Sequence, residues 1–551
     1  MAKDVFTFMV GGKAGEGVKK AGNAAANLFA SRGFSVFQYD DYQSLIRGGH
    51  NFSVVSASAR PLSSHYMHAD LVVNIDARSY ELHRSHVADG GILVRNSDLV
   101  KDGDGVGIPM TSLAKECEHP ALITGVGSFV MLCAALGMNW ADTAKVVESE
   151  YRRELQDNIA YAEAIHELAW PSFGGKFKLE NGGKVRPMLY GNEAIALGAA
   201  AGGLDIYVAY PMTPASSILH YLASHSEDLG IAVMHPENEI AVANMAIGAA
   251  SAGARTMVGS SGGGFALMEE AISLAGMTET PLLLVLSSRP GPSTGVPTYS
   301  AQGDLNFALG QGHGDFPKIV ASPSSASEAF RLTAEMLDLA WKFQVPAILL
   351  TEKHLAESRM SVDIDTDKTA WAEGMSHGKG EYKRYLDTPE GISPLMFPPS
   401  AELIKWNSYE HDEKGITSDA PETIVRMHDK RARKASSLEN HLKGLNTVNV
   451  FGTGKRSIFA YGSTVMSVIE AVKSGGLDAK IVQPIYLDPL PLEELSKHAA
   501  DAAIVVEQSS TGQFARLLRE RAGIKVSKVI AKYDGRPFEP AELAAQLKGA
   551  L

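Results

Sequence analysis

Residues 287–298, SSRPGPSTGVPT, follow the apolar run TPLLLVL and contain three prolines, two glycines and one arginine. Neither a strand nor an ordinary helix continues through such a stretch, so it reads as a loop at the end of a buried strand. Pro290, Pro292 and Pro297 restrict the backbone in advance, and the loop loses little entropy on closing around a ligand. Arg289 stands at its start, where a planar guanidinium can take a carboxylate through two hydrogen bonds. A purely structural pairing of Arg289 with Asp304 or Asp315 is the competing reading, and the loop alone does not choose between the two.

A second strand end, YPMTPASS (210–217), sets Thr213 between two prolines. Its hydroxyl sits on stiff backbone ahead of a helix that Ser216 or Ser217 can cap, and such junctions are where parallel sheets collect ligands. A plain proline-rich turn explains the same residues. HPENEIAVANMAIGAASAGA (235–254) reads as a helix with Glu237 and Glu239 near its start. Glu237 suits the helix dipole, whereas Glu239, one step from the apolar face, is placed to enter an interface. Gly248, Ala249, Ala250 and Gly253 leave room for a second backbone or a flat ring, and SSGGGFALMEE (260–270) repeats that device.

Near the N-terminus, VGGKAGEGVKKAG places Gly11, Gly12, Gly15 and Gly17 between a strand and a helix, where free N–H groups and the helix dipole favour an anion. The spacing is not G-x-G-x-x-G, and Asp40 or Asp41 falls only roughly where a ribose-binding acid belongs. A phosphate site and a tight turn with positive φ both remain open.

The elements that must carry these residues emerge from apolar periodicity. A strand at 5–10, a helix from Val18 to about Ser31, and further strands at FSVFQYD, ADLVVNID and GGILVRN predict a parallel sheet wrapped by helices. The cycle restarts near 190 with DIYVAYP, ARTMVGSS, TPLLLVL and PAILLTE, and again from 447 with RSIFAYGS, AKIVQPIYL and DAAIVVEQ. Residues 360–446 are polar and predict an extended connecting region. Within it Lys430, Arg431, Arg433 and Lys434 read as a solvated helix face or linker.

Composition bounds the function. The 551 residues, 45% hydrophobic and 21% charged, suffice for several folded domains. With 51 basic against 63 acidic residues, the net charge of −12 provides no global field for nucleic acid or anionic lipid. The two cysteines, Cys117 and Cys133, lack the close spacing that holds zinc or an iron–sulfur cluster, so no metal ligand set is expected in this chain. Isolated thiols and an N-terminal apolar run far shorter than the ~20 residues of a membrane span point to a cytoplasmic protein.

Taken together, the stretches GGKAGEG, RGGH (47–50), YPMTPAS, ENEIAVANMAIGAASAGA, SSGGGFALM, SRPGPSTGVPT, QGDL (302–305), GHGDFP (312–317), YEHDEKG (409–415), YGS (461–463), VVEQSSTGQ (505–513) and DGRPF (534–538) resemble the 2-oxoacid:ferredoxin oxidoreductase family, in particular its fused gamma–alpha large subunit. The resemblance implies an α/β fold of three doubly wound parallel-sheet domains: a gamma-type domain at 1–190, a pyrimidine-type thiamine-enzyme domain at 191–360, a connecting region at 361–446 and a transketolase C-terminal-like domain at 447–551. It also implies a reaction in which a 2-oxoacid, coenzyme A and oxidised ferredoxin give an acyl-CoA, carbon dioxide and reduced ferredoxin. Thiamine diphosphate with Mg²⁺ and a 4Fe–4S cluster are expected mainly on a separate beta subunit, in a dimer of alpha–beta heterodimers. Gly103-Asp104-Gly105, which superficially matches a thiamine-enzyme metal motif, is then a polar turn.

By the same resemblance Glu239 is the acid facing the cofactor's aminopyrimidine, with Glu237 as fallback. Arg289 and Thr213 hold the 2-oxoacid carboxylate, and Tyr210, Thr294 and Thr298 line the substrate pocket. Gly12, Gly15 and Gly17 are candidates for coenzyme A. Met212, Ala215, Ser260, Gly263 and Pro290 depart from the usual family residues and bear on loop shape and substrate preference. The favoured substrate is 2-oxoglutarate, with pyruvate or a broad range of 2-oxoacids as the alternative. A nucleotide-binding dehydrogenase and a non-catalytic partner subunit are the readings from other classes.

Overall fold

In the strand Leu282–Ser288 all seven residues are buried, as a continuous apolar run demands when both faces of a sheet are covered. It lies near the centre of a seven-stranded sheet in the order Tyr486–Asp488, Ile319–Ala321, Pro346–Glu352, Leu282–Ser288, Thr256–Ser260, Ile206–Val208, Ala232–Met234. Every pairing in it is parallel except that of the edge strand Tyr486–Asp488. The computed structural model describes residues 4–44, 48–179, 182–499 and 502–551; Arg47 of the RGGH stretch lies outside them.

The chain forms two units, one of Met1–Leu189, Glu357–Asp363 and Glu539–Glu542, the other of Tyr190–Ala356, Ile364–Phe538 and Leu543–Leu551. The first is built on an eight-stranded sheet. Its strands Val106–Ile108, Val87–Asn96, Ala69–Asn74 and Phe6–Lys13 are parallel neighbours, as the alternation of strands and helices predicts. Beyond Phe6–Lys13 the sheet turns antiparallel through His50–Ser58, Ser35–Tyr42 and Arg359–Ser361. There the sheet departs from the parallel pattern, because the strand His50–Ser58 runs back between Phe6–Lys13 and Ser35–Tyr42, antiparallel to both. Helix Val18–Ser31 packs Ala21, Ala24, Ala25 and Phe29 into this core, and Gly22 rides so close that a Cβ would stand 2.0 Å from Ser53 Oγ.

In the second unit a five-stranded sheet, Val448–Phe451, Ala479–Pro484, Arg456–Phe459, Ala503–Glu507 and Val526–Ala531, completes the set of three mainly parallel sheets. Its core is continuous with that of the seven-stranded sheet: Phe459, Tyr461, Val505 and Phe514 join one buried cluster with Leu284, Leu286 and Ile348. The region from 447 is therefore not a separate body, and its strand Tyr486–Asp488 completes the neighbouring sheet. The boundary drawn at 360 falls inside Arg359–Ser361, a strand of the first unit.

Gln302 pins the two sheets together. Its amide donates to Glu352 Oε1 at 3.2 Å and to the Tyr461 carbonyl at 2.9 Å, and its Oε1 accepts from Thr464 Oγ1 and the Gln508 N–H, each at 2.9 Å. Glu352 also accepts from the N–H and hydroxyl of Ser463 at 2.7 and 2.5 Å.

The connecting region differs most from expectation. Residues 421–442 form one helix, and Lys430, Arg431 and Lys434 on it are buried, not solvated. Lys430 Nζ lies 2.7 Å from Glu279 Oε1, and Lys434 donates to the other oxygen. Arg384, also buried, donates to the carbonyls of Thr278 and Glu279 at 3.1 and 2.7 Å. Burial alone would raise Glu279, yet Lys430, Lys434 and Arg384 together hold its carboxyl well below the usual range. Arg433 remains partly exposed beside Asp387.

Two outcomes test this core. Replacing Lys430 with Met strips one cation from Glu279 and is expected to cost about 3–5 kcal/mol in urea unfolding, as when a buried pair loses one partner. Burial pushes Glu352 up to about 7 against the hydrogen bonds of Ser463 and Gln302. A carboxyl raised on folding stabilises fully below its unfolded value of 4.5 and loses that contribution as the pH climbs to about 7. Glu352→Gln should therefore flatten the unfolding midpoint between about pH 4.5 and 7 relative to the parent.

Candidate functional site

Three neighbouring parallel strands, Ile206–Val208, Thr256–Ser260 and Leu282–Ser288, release their chains at the same sheet edge, because parallel strands all end on one side. Beyond these ends run YPMTPASS, SSGGGFALM and SRPGPSTGVPT. After the outer two strands, Arg289 Nη1 donates to the carbonyl of Thr213 at 2.8 Å, so the structure brings this expected pair together across the end of the middle strand. The contact uses the Thr213 backbone, and one arm of the guanidinium is thereby fixed.

The middle strand ends at Ser260, whose hydroxyl lies 3.5 Å from Glu239 Oε1 and 3.9 Å from Met212 Sδ. Glu239 opens the helix Glu239–Ser251, capped by Asn238, whose side chain accepts from the Ala241 N–H at 3.0 Å. Glu239 is 3% exposed, whereas Glu237 precedes the helix and is exposed, so only Glu239 has a fixed, dry setting. Among the described residues Ser260 is the one hydrogen-bond partner of the Glu239 carboxylate. Gly264 makes the space: a Cβ there would stand 2.2 Å from both Glu239 Oε1 and Ser260 Oγ. On the same helix Ile240 and Met245 are exposed, as is Leu267 at the end of Gly262–Leu267, and nothing lies within 4 Å of a Cβ built on Gly248 or Gly263.

The remaining residues are placed unevenly. Tyr210 is partly exposed and stacks edge-on against His235 with ring centres 5.7 Å apart. Thr294 is exposed, while Thr298 is buried with a hydroxyl that has no partner among the described residues. Ser217 does not cap the helix Ser216–Ser224, which has no side-chain cap; its hydroxyl accepts from Asn192 at 2.7 Å instead. Arg289 forms no ion pair with Asp304 or Asp315 among the described residues. Asp304 accepts a hydrogen bond from Ser288 Oγ at 2.7 Å. The sequence flagged Asp304 only as an ion-pair partner for Arg289, and the spacing of Ser288 gave no sign of the contact.

The glycine loop belongs to the first unit. Gly15 and Gly17 have φ of 97° and 72°, and Cβ atoms on Gly12 and Gly17 would meet Glu16 Oε2 and the Leu122 carbonyl at 2.6 Å each. Glu16 accepts from the Lys13 N–H at 2.6 Å, so a carboxylate of the chain itself already meets this loop. Asp40 lies in a strand, accepting from Ser53 Oγ at 2.6 Å.

A nearly dry carboxylate with a single weak partner, beside an open glycine-lined surface, fits the ring nitrogen of an aminopyrimidine. Among the described residues no group of three or more His, Cys, Asp or Glu side chains is arranged to hold a metal ion. Burial raises both thiols, that of Cys133 to about 12, so neither is poised as a thiolate ligand. No described helix is long and apolar enough to cross a membrane.

Known proteins resemble this chain over nearly its whole length. Residues 197–430 match the family described as pyruvate flavodoxin/ferredoxin oxidoreductase, thiamine-diphosphate-binding, and residues 7–168 match pyruvate ferredoxin/flavodoxin oxidoreductase. Subunit alpha of 2-oxoacid:ferredoxin oxidoreductase 2 from Aeropyrum pernix is 30% identical over 99% of this chain and 97% of its own. The 2-oxoglutarate synthase subunit KorA of Methanothermobacter thermautotrophicus is 30% identical over 64% of this chain and 96% of its own. The 2-oxoglutarate:ferredoxin oxidoreductase of Magnetococcus marinus, solved with 2-oxoglutarate, coenzyme A and succinyl-CoA bound, superposes with a TM-score of 0.91 at 29% identity, covering 99% of both chains. Fold and site thus define a class, the thiamine-diphosphate-binding oxidoreductase subunits. Within it, the chain belongs to the 2-oxoacid:ferredoxin oxidoreductase family, where its relatives are alpha subunits.

The tight setting of Glu239 is tested at two adjacent glycines. Gly264→Ala should lower the stability of the purified chain by about 1–3 kcal/mol, because either Glu239 or Ser260 must move. Gly263→Ala, facing open space, should stay within about 0.5 kcal/mol of the parent by thermal melting.

Proposed function

We propose that this chain supplies half of an active site that oxidatively decarboxylates a 2-oxoacid, 2-oxoglutarate in first place, to an acyl-CoA and carbon dioxide with reduction of ferredoxin. The observation that carries the reading is the buried Glu239 at the start of a helix that exposes Ile240 and Met245. Exposed apolar side chains on the helix of a dry acid suit a partner surface better than open solvent. That partner is a beta-type subunit bringing thiamine diphosphate with Mg²⁺ and a 4Fe–4S cluster, for which this chain offers no ligand set among its described residues. Two such pairs would form the working assembly.

When bound, thiamine diphosphate supplies the electron sink that loss of carbon dioxide from a 2-oxoacid requires. The residues of this chain do the rest of the work at the sheet edge. Glu239 accepts or shares a proton at the aminopyrimidine ring nitrogen where water is excluded, with Ser260 holding its carboxylate in place. Arg289, steadied by the Thr213 carbonyl, presents its remaining N–H groups to the substrate carboxylate. Thr298, with its unpartnered hydroxyl, and Tyr210 and Thr294 on the surface are proposed to line the substrate pocket. Coenzyme A is assigned to the glycine loop of Gly12, Gly15 and Gly17, where Lys13 is exposed. The preference for 2-oxoglutarate is supported by the substrates named for the Magnetococcus enzyme and the Methanothermobacter subunit. The matched family descriptions name pyruvate, which supports a broader 2-oxoacid range as the second reading.

The test is co-expression with the beta-type subunit, followed by coenzyme A-dependent viologen reduction over a panel of 2-oxoacids. Activity on 2-oxoglutarate that vanishes without coenzyme A is expected. Binding of NAD(P)H by the isolated chain with no such activity would replace this reading with a dehydrogenase. In the assembled enzyme Glu239→Gln should lower kcat by about 10²–10⁴. Arg289→Ala should lower kcat/KM about 100-fold while bound thiamine diphosphate is retained. Unchanged kcat/KM in the Arg289 variant would remove its assignment as the substrate clamp.

A further inference from the structure

An arginine can capture a substrate carboxylate only while its fork is free, and Ser288, the residue before Arg289, hydrogen-bonds a carboxylate of the chain, that of Asp304, at 2.7 Å. Asp304 and Arg289 act on one another electrostatically. Burial lowers the proton affinity of Arg289 and Asp304 counters this, while burial raises Asp304 against Ser288 and Arg289. A buried charge ordinarily pairs with its nearest opposite, since leaving it alone is costly. Among the described residues these two do not pair. Arg289 Nη1 donates instead to the Thr213 carbonyl at 2.8 Å, and Asp304 Oδ2 takes the hydroxyl of Ser288 at 2.7 Å.

The surroundings explain why this arrangement holds. Ser288 is the last residue of the fully buried strand Leu282–Ser288 and is itself 1% exposed, so its hydroxyl has a fixed position one residue before Arg289. Asp304 precedes the short helix Leu305–Leu309 but caps none of its N–H groups, which leaves the carboxylate to Ser288. On another side Gly262 presses in, for a Cβ there would stand 2.9 Å from Asp304 Oδ2. Among the described residues no donor other than Ser288 reaches that carboxylate.

We infer that Ser288 is a positioning residue that holds Asp304 off Arg289 and keeps the guanidinium open for an anionic substrate. The inference rests on the assignment of Arg289 as substrate clamp. Asp304 offsets the charge of Arg289 while the site is empty, and the substrate carboxylate then takes the open fork without first breaking an internal pair. Without the Ser288 hydroxyl, Asp304 turns to its remaining counter-charge and competes with substrate for the same N–H groups. Competition of that kind raises KM and leaves the chemistry of bound substrate largely intact.

The experiment measures steady-state kinetics of the enzyme assembled with its beta-type subunit, using the 2-oxoacid it turns over best. Ser288→Ala should raise KM roughly tenfold with a much smaller change in kcat. The double variant Ser288→Ala/Asp304→Asn should return KM toward the parent, because an amide does not compete as an anion. Asp304→Asn alone should show a KM equal to or below the parent's, a measurement that stands even if Ser288→Ala fails to fold. A parental KM for Ser288→Ala, a double variant no better than Ser288→Ala, or a raised KM for Asp304→Asn overturns the inference. Arg289→Ala run alongside separates the causes. If it too keeps the parental KM, the clamp itself is wrong; if it alone is impaired, only the role of Ser288 falls.

Discussion

The hydrogen bond from Arg289 to the Thr213 carbonyl joins two loops that leave the same sheet edge on either side of a third strand. Its 2.8 Å length requires those strand ends to sit at a fixed spacing, and the continuous parallel pairing of Ile206–Val208, Thr256–Ser260 and Leu282–Ser288 provides it. The middle strand then delivers Ser260, and through it Glu239, into the gap that the bond spans. An antiparallel sheet would send one of these chain ends to the opposite side. The chemistry proposed for the chain thus depends on strand direction before it depends on any side chain.

Much of that arrangement is legible in the sequence, and the reason is local. Continuous apolar runs such as LLLVL mark strands covered on both faces, and proline or glycine after them marks the edge where the chain turns. Choosing Glu239 over Glu237 rests on the family resemblance, since both stand near the start of the same expected helix. The pairing of Ser288 with Asp304 is not legible, since they stand 16 positions apart across a loop and nothing in their spacing announces a contact. The return of His50–Ser58 beside the first strand is likewise hidden, because the apolar pattern of a strand does not encode its direction.

The helix Pro421–Leu442 shows why polarity misleads over longer ranges. Its cations look solvated because Glu279 lies 151 residues before Lys430. Once the fold brings them together, two lysines, an arginine and a glutamate behave as a compact polar core in a region with few apolar residues. Specific charge placement there performs the fastening that a hydrophobic face performs elsewhere, and it ties the long segment after 363 to the sheet that carries the site.

The strand Arg359–Ser361 has a bearing on how such a chain can be divided. It stands between Ser35–Tyr42 and Met188–Tyr190 in the first unit's sheet, although it comes after the parallel strands of the seven-stranded sheet in sequence. A gene split at a single point near residue 190 would therefore leave one polypeptide without a strand of its own sheet and place that strand inside the other. Separation into independent subunits would require the first fragment to close its sheet without that strand.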